Sequence, residues 1–573
     1  MDTKGLSGAE AFLRVLGGMG VDRIFASPGS EWSPVWEYLA KPASANEGIP
    51  LYFSSRHEEI AVGMASGYAK ASGKLPAVMI HTTVGSLHAA MALRGALHDR
   101  VPMVVFAGES IAFGEEKGPD PGGQWLRHLS DIGGPARLVE RCVKWSVGVN
   151  TKALLPATVQ RACQLAMTAP RGPVFVSLPM EFLFETMTND GPASSAVPLL
   201  PTADPRGIEA LARMLAEARN PVILAEEAGR TGGAVERLVE LVELLAAPVV
   251  ETRGSTFLNF PRTHPLYGGV DAAEYLKEAD LIFLVEAVLP WHPPSAVPGP
   301  RVKVVVLGED PIYTNLPFWG FKVDFALAGE VESSLTRLVE TLKKRSAQAD
   351  ADRARRADEW TSRNRKKKEA MRDEAGALKG RKPIDTRWVV SELNQILPAD
   401  AIVVDETITH RREVVRYLDR LEPGGFYSGF CGGLGTGLGT ALGAKAAAPD
   451  RPVISLIGDG AFSYNPVMAA LGFAQEHELP ILIVIFNNHG YLSQKSGIPK
   501  YYPEGWAVRT KKFVGTSITP SPDYAAIAGA FDGHGEKVEE PRDVRPALER
   551  GLKAVASGQL ALIDIWLDPV NET

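Results

Sequence analysis

The chain is predicted to be an α/β protein built from three doubly wound domains with parallel sheets. Its length of 573 residues exceeds what a single hydrophobic core usually supports, so several domains are expected. Short β-branched apolar runs alternate with segments of helical apolar spacing, and this alternation occurs in three successive blocks. Buried strands that alternate with amphipathic helices are typical of parallel sheets covered by helices on both faces.

The first block supplies the elements of an N-terminal domain. Apolar residues at helical spacing predict its first helix, and the run 21–26 predicts a short strand. The spacing residues of that helix are Ala9, Phe12, Leu13, Leu16 and Met19, and further elements are a helix over 59–71, a strand over 77–81, a helix over 87–97, a strand over 103–107 and a closing strand near 173–178.

The second and third blocks repeat this alternation. In the second, the predicted elements are a helix over 208–218, a strand over 222–225, a helix over 234–245 and strands over 281–285 and 302–307. In the third, strands are predicted over 401–404, 453–457, 481–486 and 560–566, with helices between them.

Two connections indicate where the domains meet. Residues 189–204 are rich in Pro, Ala, Ser and Thr, as linkers often are. Residues 343–373 are dense in charge, and because both signs are mixed, a solvated helix that crosses between domains is favoured over a nucleic-acid contact. The predicted organisation is an N-terminal domain over 1–188, a central domain over 205–342, a charged linker over 343–380 and a C-terminal domain over 381–573.

Composition excludes several classes of protein. The net charge is −7, from 61 basic and 68 acidic residues, which gives no sign of a nucleic-acid partner. The cysteines Cys142, Cys163 and Cys431 are too far apart in sequence to suggest a disulfide framework or a cysteine metal cage. The N-terminus lacks a signal-peptide core, and no apolar run reaches the length of a membrane span. A cytoplasmic protein without a membrane or nucleic-acid partner is therefore expected.

The stretch ISLIGDGAFSYN, over 454–465, places a charged residue where a buried strand ends. In parallel sheets, ligands bind beyond the carboxyl ends of the strands, and Asp459 lies at such an end between two glycines. Asn465 is predicted to cap the next helix, with Pro466 as its first residue, so that the helix offers N–H groups to an anion.

A second polar pair follows the next predicted strand. Asn487 and Asn488 come after the strand over 481–486, so a carboxylate, a side-chain amide and backbone carbonyls would meet at one edge of the sheet. Oxygen ligands of this kind suit Mg²⁺ or Ca²⁺, and Mg²⁺ commonly bridges a protein to phosphates. Taken alone, each motif is an ordinary turn, and only their combination points to a site.

This combination resembles the thiamine diphosphate signature of the acetolactate synthase, pyruvate oxidase and 2-oxo acid decarboxylase family. Gly458-Asp459-Gly460 is followed by 26 residues (461 through 486) and then by Asn487-Asn488, and the resemblance extends over nearly the whole chain, as pyrimidine-binding, central and diphosphate-binding domains. It implies the cofactors thiamine diphosphate and Mg²⁺. It further implies metal ligation by Asp459, Asn488 and the Gly490 carbonyl, diphosphate contacts from the N–H groups of Gly460 and Ala461, and a cofactor contact from Tyr491.

The first block contains a stretch similar to the family's activating carboxyl motif. In SSRHEEIAVGMASGYAKASGK the residue after the histidine is Glu58, which the resemblance pairs with the aminopyrimidine ring of the cofactor. A carboxyl group there promotes removal of the thiazolium proton. Without the Gly-Asp-Gly motif, the same stretch is an ordinary acidic first turn of a helix.

The stretch SGFCGGLGTGLGTALGAKA and the stretch VVDETITH supply the remaining cofactor positions. By resemblance, Leu434 supports the bent cofactor, the Gly433 carbonyl accepts from its amino group, and Thr407 contacts the diphosphate, while Cys431 is assigned to packing. The glycine pattern alone would be a weak dinucleotide signal, and a dehydrogenase is disfavoured because no acidic ribose partner follows a strand at the required distance.

Three further residues favour a decarboxylase. In FASPGSEW, IHTTVGSLHAA and VLPWHPPS, the residues Ser30, His81 and His292 match the positions of a serine and two active-site histidines of benzoylformate decarboxylase. Histidines exchange protons near neutral pH, as product release requires. Each residue also has a purely structural explanation. Ser30 could cap the next helix, His81 could be a half-buried histidine with its hydrogen bonds made, and His292 could lie in a Pro-rich loop. The stretch 259–269 is more similar to the acetolactate synthase branch, so benzoylformate itself is not the expected substrate.

The sequence thus predicts non-oxidative decarboxylation of a 2-oxo acid, or cleavage of a 2-hydroxy ketone, with carboligation as a side reaction. The alternatives are an acetolactate synthase-like carboligase and a non-catalytic cofactor-binding homologue, although the latter would not need Glu58. FAD is not expected, because the central stretch LAEEAGRTGGA lacks a phosphate-binding loop. The family resemblance implies that the cofactor lies between two chains, so a homodimer is the minimum and a homotetramer is expected.

Overall fold

The chain folds around three parallel sheets. A computed structural model describes residues 5–42, 46–111, 119–125, 131–187, 196–252, 254–292, 296–345, 351–429 and 432–570. Within them lie three six-stranded sheets, whose paired strands are all parallel, and one short antiparallel pair. The predicted fold class of three doubly wound α/β domains is confirmed. Among the helices that the structure describes, none combines the length and apolar composition needed to cross a lipid bilayer.

The first sheet has the strand order β3-β2-β4-β5-β7-β6. Its buried core includes Phe12, Phe106 and Val174. The strands of this block are β1 Leu6–Ser7, β2 Arg23–Ser27, β3 Leu51–Ser54, β4 Ala77–Ile80, β5 Met103–Glu109, β6 Trp145–Gly148, β7 Pro173–Pro179 and β8 Thr186–Met187, and its helices are α1 Gly8–Gly18, α2 Ser33–Leu39, α3 Glu58–Ser72, α4 Thr82–His98, α5 Gly134–Leu138, α6 Leu155–Met167 and α7 Met180–Phe184.

The second sheet has the order β11-β10-β9-β12-β13-β14. Ile223, Phe283 and Val305 are among its fully buried residues. Its strands are β9 Pro221–Ala225, β10 Val249–Glu251, β11 Tyr267–Gly269, β12 Leu281–Val285, β13 Lys303–Gly308 and β14 Phe325–Ala328, and the helices of this block are α8 Pro205–Glu217, α9 Gly232–Leu245, α10 Ala273–Glu278 and α11 Val331–Arg345.

The third sheet has the order β16-β15-β17-β18-β20-β19. Its strands are β15 Ile402–Glu406, β16 Phe426–Ser428, β17 Val453–Gly458, β18 Leu482–Asn487, β19 His534–Val538 and β20 Ala561–Trp566. The helices after the second block are α12 Ala351–Ala377, α13 Thr386–Ile396, α14 Arg411–Tyr417, α15 Gly437–Ala447, α16 Asp459–Tyr464, α17 Val467–Glu476, α18 Leu492–Tyr501, α19 Trp506–Thr510, α20 Tyr524–Gly529 and α21 Val544–Ala556.

Two compact units share these elements. The first unit contains residues 1–199, 429–450 and 463–481, and therefore the first sheet together with α15 and α17. The second unit contains residues 200–428, 451–462 and 482–573, and therefore the second and third sheets. The boundaries of the three sequence-defined domains and of the linker stay a prediction.

The charge-dense stretch over 343–373 is mainly one long helix, as its composition suggested, but its first residues belong elsewhere. Residues 343–345 complete α11, residues 346–350 lie outside the described part of the chain, and α12 begins at 351. The helix α12 is not entirely solvated, since it buries Trp360, whose ring stacks on Tyr275 with centroids 5.1 Å apart. The predicted connection over 189–204 is described only from residue 196 onward, and Cys431 lies outside the described residues.

Helices α3 and α15 approach each other unusually closely within the first unit. A Cβ atom on Gly63 would lie 3.1 Å from the Cα of Gly439, and one on Gly443 would lie 1.9 Å from the carbonyl oxygen of Met64. A Cβ atom on Gly67 would lie 1.9 Å from a backbone oxygen of α15. Gly439 and Gly443, from the stretch SGFCGGLGTGLGTALGAKA, thus allow α15 to pack against α3. Their role is in helix packing and not in a dinucleotide-binding loop, which the glycine pattern alone could also have indicated.

We expect Gly443→Ala to destabilise the chain, because the new methyl group would overlap a backbone oxygen that belongs to a packed helix. Overpacking of this kind costs roughly 1–3 kcal/mol. The matched control is Gly376→Ala, in α12, where a Cβ atom meets nothing within 4 Å and helix propensity improves by up to about 1 kcal/mol. Urea unfolding measures both; a neutral Gly443→Ala variant would contradict the close packing.

Candidate active site

Three strand ends of the third sheet bring the first group of predicted residues together. In the register of this sheet, Glu406 of β15 pairs with Ile457 of β17, and Gly458 of β17 pairs with Phe486 of β18. Thr407, Asp459 and Asn488 each follow one of these strands. Because the strands are parallel, their carboxyl ends meet at the same edge, and we call this group, with its neighbours His410 and Asp564, the Asp459 site.

Asp459 is almost completely buried, with 2% of its surface exposed. Its Oδ2 accepts a hydrogen bond of 2.9 Å from the N–H of Gly490, in the turn after β18. Burial raises the pKa of Asp459 to about 7; the N–H groups of Gly460 and Gly490 oppose this shift, and the charge of Asp564 adds to it. A carboxyl group with this pKa lies in surroundings that offer too little positive charge, so a cation there would stabilise its ionised form.

The helix after the Gly-Asp-Gly motif begins earlier than expected. The short helix α16 begins at Asp459 itself, and α17 begins only at Val467, after Pro466. The prediction that Asn465 caps a helix whose first residue is Pro466 is therefore wrong. The Asn465 amide oxygen instead accepts from the N–H of Leu438 at 3.1 Å, so the side chain is engaged by α15.

Asn488 is buried and its amide is fixed by a histidine that sequence reasoning missed. The Asn488 amide nitrogen donates to His410 Nε2 over 3.1 Å, and His410 Nδ1 lies 2.9 Å from Thr386 Oγ1. Burial lowers the pKa of His410 to about 4, so the ring is neutral at pH 7 and can accept at Nε2 while its Nδ1–H donates to Thr386. The Asn488 Oδ1 is buried and has no hydrogen-bond partner within the described residues.

Asn487 makes different hydrogen bonds from Asn488 and contacts Asp564. Its amide nitrogen donates to Asp564 Oδ1 over 3.0 Å, and the indole N–H of Trp566 donates to Oδ2 of the same carboxyl group over 3.1 Å. Burial raises the pKa of Asp564 to about 6, although both of these hydrogen bonds oppose the shift. Asp564, on β20, was not predicted from the sequence because a single aspartate in an apolar strand has no distinguishing motif.

Two more predicted residues complete the Asp459 site. Thr407 is buried, and its hydroxyl donates to Asp405 Oδ1 over 2.7 Å. A Cβ atom on Gly460 would lie 2.7 Å from the ring of Tyr491, so this tyrosine requires glycine at that position. Ala461 follows within the first turn of α16 and is buried.

The arrangement of the Asp459 site fits a hard cation. It combines a buried carboxyl group whose pKa is raised, a buried amide oxygen without a partner among the described residues, and a second buried carboxyl group nearby. Oxygen donors of this kind are the ligands that Mg²⁺ prefers. The His410 contact holds the amide so that its oxygen, and not its nitrogen, is available.

A second group of predicted residues lies in the first unit, where Ser30, Glu58 and His81 follow the neighbouring strands β2, β3 and β4. Glu58 is the first residue of α3, and His57 caps this helix by accepting the N–H of Glu59 at its Nδ1 over 3.1 Å. The Glu58 carboxyl group is half-buried and makes no hydrogen bond among the described residues. A Cβ atom on Gly85 of α4 would lie 3.1 Å from Glu58 Oε1 and 3.4 Å from the His81 Cβ, so Glu58 and His81 flank this glycine.

His81 is held by a buried carboxylate that sequence reasoning did not identify. Its Nδ1 lies 2.9 and 3.0 Å from the two carboxylate oxygens of Glu31, whose exposed fraction is 1%. Burial alone would lower the pKa of His81, but the hydrogen bond and charge of Glu31, together with the charge of Glu58, outweigh it and raise this pKa. Glu31 follows Ser30 in FASPGSEW and could have been noticed as an acidic residue beside a predicted substrate contact.

Ser30 lies next to this pair. A Cβ atom on Gly29 would lie 2.2 Å from His81 Nδ1 and 2.4 Å from Glu31 Oε2, so the backbone that carries Ser30 contacts both side chains. The Ser30 side chain is exposed. The structure thus brings Ser30, His81 and Glu58 together in one unit, and we call these residues, with Glu31, the Glu58 site.

The remaining predicted residues lie outside that group. Gly433 packs against Met91, Leu434 is half-buried, and Gly435 adopts a φ of +111° near the Glu59 carboxyl group, all within the first unit. His292 is exposed in a loop of the second unit. Its predicted role stays a prediction.

Comparison with known proteins identifies three domains of one family. Residues 6–121 match the N-terminal TPP binding domain of thiamine pyrophosphate enzymes, residues 208–338 match their central domain, and residues 409–565 match their C-terminal TPP binding domain.

Individual relatives are similar over almost the whole chain. The acetolactate synthase isozyme 3 large subunit of Escherichia coli is 26% identical over 98% of this chain and 95% of its own. A 4-hydroxybenzoylformate decarboxylase of Rhodococcus jostii is 25% identical with a TM-score of 0.79, covering 98% of this chain and 99% of its own. Benzoylformate decarboxylase of Polynucleobacter necessarius, 20% identical over 99% of both chains with a TM-score of 0.80, shares the fold. The chain therefore belongs to the thiamine pyrophosphate enzymes, and within them to the family of acetolactate synthases and 2-oxo acid decarboxylases.

We expect Glu31→Gln to lower the pKa of His81, because the neutral amide removes the charge that stabilises the imidazolium. The raised folded-state pKa implies that the pair stabilises the fold fully below the ordinary value of 6.5, and that this contribution is lost as pH rises through the folded-state pKa. NMR titration of the His81 ring measures the shift, and urea unfolding on either side of neutrality measures the stability.

The matched control is Glu37→Gln, which changes an exposed glutamate of α2. It should leave both the His81 titration and its linked stability unchanged. A Glu31→Gln variant in which His81 titrates as in the wild type would contradict the electrostatic role of Glu31.

Proposed function

We propose that the chain is a thiamine diphosphate- and Mg²⁺-dependent enzyme whose main reaction is the non-oxidative decarboxylation of a 2-oxo acid. The observation that carries this proposal is the Glu58 site, where His81, supported by the buried Glu31, lies beside Ser30 and flanks the same glycine as Glu58. The hydrogen bond and charge of Glu31 raise the pKa of His81 and so favour its protonated form, and histidine is the side chain suited to proton exchange in enzymes.

The proposed cofactor is anchored by the Asp459 site. Asp459, Asn488 through its Oδ1, and the Gly490 carbonyl would hold Mg²⁺ against the diphosphate. Gly460 and Ala461, in the first turn of α16, would donate their N–H groups to it, and Thr407 and Tyr491 would contact the cofactor. Support comes from the buried oxygen of Asn488 and from the raised pKa of Asp459.

The side chains of the Glu58 site would each have a separate role, in proton transfer or in substrate binding. When bound, thiamine diphosphate supplies a nucleophilic carbon and a sink for the electrons of the broken C–C bond. Glu58 would hold a proton at the aminopyrimidine ring, for which its half-buried carboxyl group is available. Ser30 would orient the substrate carboxylate, and His81 would exchange the substrate proton. His292 would be a second proton carrier.

An acetolactate synthase-like carboligase is the second candidate function. It is supported by the 26% identity to an acetolactate synthase over 95% of that relative. The two candidates differ in the fate of the fragment that remains after CO₂ is lost from the 2-oxo acid. A decarboxylase releases it as an aldehyde, whereas a carboligase joins it to a second carbonyl compound. A non-catalytic homologue is disfavoured because a protein that only binds the cofactor would not need the Glu58 and Glu31–His81 arrangement.

We also propose that the central domain binds no FAD. In its sheet, β9 and β12 are neighbours, and their carboxyl ends are followed by Glu226 and Glu286. Both are buried, and burial raises the pKa of Glu226 to about 8. Whether charged or neutral, these carboxyl groups supply no positive charge and no backbone N–H groups to a diphosphate, which binds at this edge in dinucleotide sites. A flavin absorbance spectrum in the purified protein would contradict this proposal.

The proposed assembly is a homodimer at minimum, and a homotetramer is proposed as the full assembly. The support is the family resemblance, in which Glu58 of one chain and Asp459 of another share a cofactor. Sedimentation in solution measures this state.

We expect Glu58→Gln to lower decarboxylation by at least about 100-fold while cofactor binding is largely kept, because the amide cannot hold the required proton. The assay measures CO₂ release from a panel of 2-oxo acids with added Mg²⁺ and thiamine diphosphate, and calorimetry measures cofactor binding. The control Glu37→Gln should react like the wild type. Full activity of Glu58→Gln would refute the mechanism.

Analysis of the products formed from pyruvate separates the two candidate functions, since both reactions release CO₂. Release of an aldehyde without acetolactate from pyruvate would exclude the carboligase as the main activity. Acetolactate as the dominant product would exclude the decarboxylase.

We expect His410→Ala to weaken Mg²⁺ binding by about 10- to 100-fold, because the Asn488 amide loses the contact that orients it. His410→Gln, which keeps an acceptor oxygen, should restore part of the affinity. The measurement is the Mg²⁺ concentration needed for half-maximal cofactor binding, with circular dichroism to verify the fold. Equal Mg²⁺ requirements in wild type and His410→Ala would show that His410 does not position the ligand.

A further inference from the structure

A second set of possible metal ligands lies beside the Glu58 site, on the start of α3 and on α4. His57, Glu58 and His88 each offer one donor atom, and these atoms all lie within 4.8 Å of one another. The imidazole rings of His57 and His88 face each other edge to face, with centroids 5.2 Å apart and an interplanar angle of 89°. All three residues belong to the first unit.

The donor atoms of this set are not engaged by other parts of the described chain. Among the described residues, Glu58 makes no hydrogen bond, and His88 makes no hydrogen bond and one ring contact, with His57. His57 uses Nδ1 to accept the Glu59 N–H, which leaves its Nε2 without a partner among the described residues.

The chemistry of the set selects a different metal from the Asp459 site. Two imidazoles and one carboxylate suit Zn²⁺ and similar transition metals, whereas Mg²⁺ prefers oxygen ligands alone. Donors around a tetrahedral Zn²⁺ ion are about 3.3 Å apart. His88 is exposed, so rotation of its side chain can close the remaining distance. Three protein ligands would leave a fourth position for water.

We propose that His57, Glu58 and His88 form a Zn²⁺ site that inhibits the enzyme. The inhibition rests on the proposed function, because Glu58 is the carboxyl group assigned to the cofactor's aminopyrimidine ring. A Zn²⁺ ion on Glu58 and a bound cofactor then exclude each other. Reciprocity of linked equilibria requires that the cofactor weakens Zn²⁺ binding by the same factor by which Zn²⁺ weakens cofactor binding.

The first test measures Zn²⁺ binding by the full chain without cofactor. Titration with Zn²⁺ should detect one binding site, whose affinity His88→Asn lowers by at least about tenfold. Loss of a residue that only hydrogen-bonds a metal ligand already lowers metal affinity by that factor, and His88 is proposed as a ligand itself. The matched control is His98→Asn, which removes another exposed histidine of α4 outside the cluster and should bind like the wild type. Equal Zn²⁺ affinity in His88→Asn and wild type overturns the site.

The second test uses Co²⁺ as a spectroscopic probe and then adds the cofactor. Tetrahedral nitrogen and oxygen ligation should give a visible absorption band that His88→Asn loses and that thiamine diphosphate with Mg²⁺ suppresses. A band that the cofactor leaves unchanged overturns the mutual exclusion, even if the metal site is real. Failure of the proposed function is distinct, because it would appear as absent decarboxylation in assays that contain Mg²⁺ and thiamine diphosphate but no Zn²⁺ or Co²⁺.

Inhibition is measured last. Zn²⁺ should raise the thiamine diphosphate concentration needed for half-maximal decarboxylation in the wild type and in His98→Asn, and His88→Asn should be at least about tenfold less sensitive. Equal Zn²⁺ sensitivity of His88→Asn and wild type overturns the assignment of inhibition to this site.

Discussion

The contact between the backbones of α3 and α15 determines the geometry of much of the first unit. Glu58 is the first residue of α3, and Gly433 and Leu434, which are predicted to contact the cofactor, lie within four residues of the start of α15. The helices run in the same direction, since Glu59 meets Gly435 and Gly63 meets Gly439. Because no side chain intervenes, their separation is set by backbone van der Waals contact, which is far stiffer than contact through flexible side chains. The beginnings of both helices are therefore held together.

The two candidate sites use opposite electrostatic arrangements. At the Asp459 site, burial of Asp459 and Asp564 raises both pKa values, so positive charge supplied from outside the chain would relieve an unfavourable state. At the Glu58 site, the chain supplies its own positive charge, since the His81 imidazolium is stabilised by Glu31. The first arrangement suits binding of a cation. The second suits repeated proton transfer, because the charge can appear and disappear on one residue.

Sequence reasoning predicted the longer buried strands well, but it missed the edge strands and the three-residue buried strand β10. Strands β4, β9 and β18 are completely buried, so their apolar runs stand out, and the structure contains them close to the expected bounds. The edge strands β3, β6 and β19 were missed, because their residues are mostly half-exposed and mix polar with apolar side chains. Helix α4 begins at Thr82, well before the expected start at 87, because its first five residues, Thr-Thr-Val-Gly-Ser, carry no apolar period.

The candidate site was predictable where a motif marks it and not where a single residue supports it. Asp459, Asn488 and Glu58 lie in recognisable stretches, whereas His410, Asp564 and Glu31 act through contacts that only the fold creates. The prediction that Asn465 caps a helix was wrong for a related reason, since its amide oxygen accepts the N–H of Leu438 in α15. Local sequence thus indicates which side chains can react, and long-range packing decides how they are held.

The division of the chain between the two compact units has a consequence for its synthesis. The first unit takes residues 1–199 but also 429–450 and 463–481, so its polypeptide is not contiguous. When α3 ends at residue 72 on the ribosome, 375 further residues (447 minus 72) must be made before α15 is complete. At roughly 5–20 residues per second this takes about 20 to 75 seconds. During that time Gly63 and Gly67 of α3 have no α15 to pack against, so this part of the first unit can reach its final packing only late in synthesis.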